Sequence, residues 1–117
     1  MSAYTRMQDL TSQNATVRQP VEEAIDVGAY KTVVVQVRLP KLATSGTLQF
    51  ITSATKEETS YAVPGHWTAK TVNLTNAAGN ENQTIVLDDP LRYLRWEISA
   101  ISGGPVEFLI DTVAREV

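Results

Sequence analysis

Residues 91–100 and 106–111, joined by Gly103-Gly104-Pro105, alternate so regularly that they leave few folds open to this chain. In the first stretch Leu94, Trp96, Ile98 and Ala100 fall on one side, and Tyr93, Arg95, Glu97 and Ser99 on the other. In the second, Val106, Phe108 and Ile110 share a side opposite Glu107, Leu109 and Asp111. Successive Cβ atoms of an extended chain point to opposite sides, so a two-residue period marks a strand with one face in a core. Two such runs separated by glycines predict a β-hairpin, with the second strand laid beside the first.

The same period recurs upstream. Residues 31–39 are β-branched and alternating, which turns Val33, Val35, Val37 and Leu39 inward. Pro40 has no N–H to give to a ladder and is expected to end that strand. Gly46 opens another, with Leu48 and Phe50 facing away from Gln49 and Ile51, and residues 53–58 read as a solvated connection. Val72 and Leu74 mark a short strand, and Ile85 and Leu87 a further one that ends at the turn Asp88-Asp89-Pro90. Residues 21–27 suit either a helical turn after Pro20 or an edge strand, and the edge strand is the expectation. Short alternating runs, turn signals between them and no sustained helical period predict an all-β, antiparallel β-sandwich of jelly-roll type. Residues 21–117 form that single domain. Residues 1–20 are polar and aperiodic, and are expected to be an extended N-terminal arm pinned to its own domain or to a neighbouring subunit.

A chain of 117 residues is one domain by length, and it buries about two-thirds of the surface its unfolded form exposes, enough for a core without staples. With no cysteine, neither disulfides nor thiolate metal sites are open to it. A net charge of -3 with singly scattered Lys and Arg argues against a nucleic-acid surface, which needs clustered cations. No apolar h-region follows Met1 and no apolar run is long enough to cross a bilayer, so the expectation is a soluble protein made without a secretion signal.

Few residues invite a chemical reading. His66 is the one histidine and sits in Pro64-Gly65-His66-Trp67. With Tyr61 and Trp67 it could form a stacking platform for sugar rings, whereas a Trp67 that caps the core would leave His66 merely solvated. Asp88, Asp89 and Asp111 offer hard oxygen ligands, but their spacing matches no calcium-binding loop and Asp88-Asp89-Pro90 is what a turn looks like. Glu97 and Glu107 would face one another across the hairpin as an acid–base pair, yet Arg92 and Arg95 beside them make ordinary cross-strand charge pairing the better reading. No nucleophile elbow, phosphate loop or dinucleotide motif occurs, so no catalytic residue, metal or cofactor is expected. Binding fits better than chemistry. Val34, Ile51 and Leu109 are apolar at positions expected to face outward, and with Arg95, Glu97 and Glu107 they form the expected assembly surface.

Leu91-Arg92-Tyr93-Leu94-Arg95-Trp96 before a glycine turn, and the closing run Phe108-Leu109-Ile110, resemble the late core strands of small jelly-roll sandwiches related to galactose-binding and discoidin-type modules. Compact stand-alone versions are similar to accessory virion proteins of tailed bacteriophages, such as head decoration proteins. The resemblance covers residues 30–113. It departs from sugar-binding modules in its shorter length, in lacking a terminal cysteine pair, and in having no aromatic-plus-carboxylate site beyond the Trp67 loop. It implies a non-enzymatic structural component of a virion, located there after assembly in the host cytoplasm, whose partners are other copies of itself and a shell or capsid protein. The alternative it implies is a carbohydrate-binding module at Tyr61, His66 and Trp67.

Overall fold

Val33, Val35 and Val37 point to one side of an unbroken strand and are fully buried there, as their alternation demands. The computed structural model describes residues 2–116, so Met1 of the expected arm and Val117 of the expected sandwich lie outside the described residues. The strands are β1 (Ser2–Gln13), β2 (Val17–Arg18), β3 (Ile25–Asp26), β4 (Thr32–Lys41), β5 (Ser45–Ser53), β6 (Val72–Asn73), β7 (Asn82–Asp88), β8 (Tyr93–Ser102) and β9 (Val106–Arg115). They form two antiparallel sheets packed as a sandwich. The first sheet has the order β1-β9-β4-β7. The second runs β2-β8-β5-β6, with β3 also pairing with β8.

The expected hairpin is not formed. β8 pairs with β2, β3 and β5, whereas β9 pairs with β1 and β4, so the glycine-containing joint carries the chain from one sheet to the other. Residues 103–105, with a cis Gly104–Pro105 peptide, are thus the corner of the sandwich. The alternation was a true record of which side faces inward from Leu94 to Ile98 and from Val106 to Ile110, whereas Ala100, expected inward, is exposed beyond a register shift between β5 and β8. Both inward sides meet across the core instead of lying side by side. Trp96 of β8 meets Phe108 of β9 edge-on, with ring centroids 5.0 Å apart and planes at 89°, a favoured aromatic geometry.

Three further expectations need adjustment. Pro40 does not end its strand: β4 continues to Lys41, and its pairing with β9 jumps from Arg38 to Lys41, an irregularity that absorbs the missing N–H. Residues 21–27 are both things at once, a 3-10 turn at Val21–Glu23 followed by the two-residue β3. The N-terminal segment is extended, and it is pinned to its own domain as a sheet edge. Ser2 pairs with Arg115 and Gln13 with Val106, and Met7 is buried in the core.

Close approach of the sheet backbones requires glycine at one position in β5. A Cβ on Gly46 would stand 2.8 Å from the Ala100 carbonyl oxygen and 3.2 Å from the Ile101 Cα, both backbone atoms of β8. Gly46→Ala is therefore expected to destabilise the fold by about 1–3 kcal/mol through forced separation of β5 from β8. Urea denaturation checks this, and an unchanged midpoint would contradict it.

Candidate functional site

Around Arg95 and Ile51 the outer side of the second sheet is not open. Arg95 projects there from β8 and is 1% exposed. Its Nε and Nη2 donate to the Gln19 carbonyl, Nη1 donates to the Glu58 carboxylate, and the guanidinium stands 4.7 Å from the centroid of the Tyr61 ring. Ile51, its ladder neighbour on β5, is buried on the same side and is no part of the core between the sheets. The arm-to-β4 segment and the loop after β5 thus roof over two residues expected on the assembly surface, and Ile51 and Arg95 are interior. The Arg95 hydrogen bond holds the Glu58 carboxyl below its ordinary value. Burial pushes the Tyr61 hydroxyl up, and among the described residues that oxygen has no hydrogen-bond partner.

Glu97, next along β8, is half-buried and accepts from Arg18 of β2 and, at 2.6 Å, from Gln49 of β5. Glu107 sits on β9 in the other sheet, so the two carboxylates expected to face each other are not brought together. Tyr61 and Trp67 are buried, which removes both ring faces of the expected stacking platform. Trp67 caps the core and donates from Nε1 to the Asp88 carbonyl at 2.9 Å. The same carbonyl lies 3.0 Å from His66 Nε2; a carbonyl oxygen only accepts, so Nε2 carries the proton. His66, Asp89 and Leu91 line a shallow depression of about 320 Å³ beside this turn. Among the described residues, no group of three or more His, Asp or Glu is placed to hold a metal ion.

The outer side of the first sheet is different. Register places Tyr4 opposite Val113, Val113 opposite Val34, and Val34 opposite Val86, so one apolar row crosses all four strands from edge to edge. Its ends are the most open: Tyr4 is 62% exposed and Val86 43%. The next row reads Arg6, Asp111, Gln36, Thr84. Asp111 is its anchor, accepting from the Tyr4 hydroxyl at 2.6 Å, from Arg6 Nε, and from Arg38 Nη2 at 3.0 Å. Leu109 and Glu107 are half-buried on the same side of β9. Of the six expected surface residues, Val34, Leu109 and Glu107 therefore share this face. The row was missed at Tyr4 and Val86 because neither strand could be registered from sequence. The apolar spacing of Val34, Val86 and Val113 was the available signal.

Partial burial alone would raise the Asp111 carboxyl, but the hydrogen bonds from Tyr4, Arg6 and Arg38 together outweigh it, and the carboxyl is held below its ordinary value. A carboxylate with a depressed folded value stabilises the fold above its unfolded value, and that stability is lost as pH falls through the folded one. The wild type should lose stability on acidification below about pH 4, and the melting temperature of Asp111→Asn should be lower at pH 7 but fall less steeply over that acid range. Parallel curves for the two proteins would contradict the role given to Asp111.

No protein-family model matches the chain, and no curated protein does. Among solved structures, the chain is similar to the crystal structure of the SPBc2 prophage-derived protein YomS, at 10% identity and a TM-score of 0.56, over 97% of this chain and 92% of that one. The likeness is one of fold, across nearly the whole of both chains.

Proposed function

We propose that this chain is a non-enzymatic structural component of a phage or phage-like particle, an accessory or decoration protein that binds other copies of itself and a shell protein. The observation that carries this reading is the open face of the β1-β9-β4-β7 sheet, where an apolar row spans four strands beside an anchored row of charged and polar side chains. Apolar rows of this extent on a small domain are contact surfaces, since water gains nothing from them and a partner does. Part of the other face, over Ile51 and Arg95, is already roofed by the chain itself, which leaves the first sheet as the more open side for a partner. The likeness in fold to a prophage-derived protein supports the phage setting. The mechanism is mechanical: backbone hydrogen bonds at sheet edges and buried apolar area hold a copy in a lattice, with no cofactor, nucleic acid or membrane taking part. The expected location is the virion, reached after assembly in the host cytoplasm.

Density-gradient fractions of particles released from cells that carry the gene test this, with an antiserum to the chain as probe. The expected result is a constant ratio of this chain to the major shell protein across the particle peak. A chain found wholly in the soluble fractions while particles sediment normally would overturn the reading.

A further inference from the structure

Building on that reading, we infer that copies of this chain associate edge to edge, with β1 of one copy pairing antiparallel with β7 of the next to continue the four-stranded sheet. The occupant of the open edges is a second copy, for three reasons.

The first is direction. The order β1-β9-β4-β7 is antiparallel at every step, so with four strands the two outermost run oppositely. A neighbour placed head to tail therefore meets β1 with an antiparallel β7, and the alternation passes from copy to copy unbroken. The second is the state of the edges. Ser2 to Arg6 pairs with β9 in constant register, the first shift coming between Arg6 and Gln8, and β7 pairs with β4 without any shift. Neither stretch contains proline. Beyond Arg6 the shifts, and the Gln19 side chain donating to the Met7 carbonyl at 2.9 Å, close the rest of β1. Natural edges are usually blunted by such features; of the two regular segments only the end of β7 is, where His66 and Trp67 occupy the Asp88 carbonyl. The third is side-chain complementarity. Tyr4 and Val86 end the same apolar row at opposite edges, so pairing them continues the row and covers both, an aromatic against a β-branched residue. In that register Arg6 falls opposite Thr84 and Asp88 opposite Ser2, so no like charges are set against each other and both residues keep the ion pairs they make with Asp111 and Lys70. A head-to-tail contact of this kind closes into a ring or runs on as a filament.

The absence of native cysteine makes the test clean. Tyr4→Cys and Val86→Cys are prepared as separate full-length proteins, mixed, and equilibrated in a glutathione buffer, with Leu91→Cys, also exposed, as control. Directly opposed residues of neighbouring strands are about 4.5–5.5 Å apart at Cα, within disulfide reach. Thiols held in a complex meet at millimolar effective concentration, so the Tyr4→Cys with Val86→Cys mixture should give at least about tenfold more cross-linked pairs than Tyr4→Cys with Leu91→Cys. Thermal melts of each variant confirm that it is folded. Equal yields from both mixtures overturn the inference, as does Tyr4→Cys alone linking to itself most efficiently, which marks a two-fold β1–β1 contact. If the chain is found in particles and this cross-link is absent, the edge contact fails and the particle reading stands. The cross-link in solution without particle incorporation gives the reverse.

Discussion

Arg95→Ala is expected to lower stability by about 3–4 kcal/mol, far more than the removal of a surface cation from a strand would. Arg95 is buried, and truncation leaves the Gln19 carbonyl without its donors and an empty space beneath Tyr61. A buried acceptor stripped of its partner costs about 1–3 kcal/mol, and the cavity adds to that. The pair with Glu58 contributes less, because the Glu58 side chain is 57% exposed and water takes over from the guanidinium. Arg95→Met, which keeps the volume but not the donors, should therefore lie between the wild type and Arg95→Ala, and Glu58→Gln should cost the least of the three. For a domain of this size the alanine variant should melt more than about 10 °C below the wild type. Equal midpoints in urea for wild type and Arg95→Ala would show that the roof over the second sheet is not held by this residue. Hydrogen exchange would report the same event locally, as faster exchange at Gln19, whose amide is bonded to the Trp96 carbonyl at 3.0 Å.

The second large effect is expected at the contact between the sheets. Trp96→Ala should cost about 3–5 kcal/mol, and Phe108→Ala a comparable amount, because each is almost wholly buried and the two rings meet across the core. The double variant should cost less than the sum of the singles, by about 1 kcal/mol, the worth of an edge-on aromatic pair beyond its area. Strict additivity in denaturant unfolding would separate the two rings energetically and undo the account of this core. Trp96 carries one further bond, from Nε1 to the Gln8 side chain at 3.0 Å, which ties β1 to the second sheet. Trp96→Phe, which keeps an aromatic ring, should thus retain much of the core but loosen the N-terminal strand.

How far the chain could be read in advance differs from element to element. β4 was legible because Val33, Val35, Val37 and Leu39 alternate through β-branched residues and all four are buried. Trp67 was legible only as one of two alternatives, a stacking face or a core cap, and its burial decides for the cap. Arg95 was not: its place in the alternation is outward, and nothing local says that residues 17–26 and the loop at Glu58 fold over it. β1 was not either, since residues 2–13 carry no period, and the Met7 that anchors it sits where the register with β9 slips. The candidate site suffered the same way. Val34, Glu107 and Leu109 could be assigned to an outward side, but Tyr4 and Val86, which complete the row, belong to strands whose partners lie far away in the chain.

The amino-acid sequence by itself determined that the chain is a set of short antiparallel strands and which side of most of them faces inward, because a two-residue period is a local property of extended backbone. The tertiary structure alone decided which sheet each strand joins, that β8 and β9 part at their joint, that Arg95 is roofed over, and that Tyr4 and Val86 end one row. Those outcomes depend on pairings such as Ser2 with Arg115 and Ile25 with Leu94, and alternation encodes a face but never a partner.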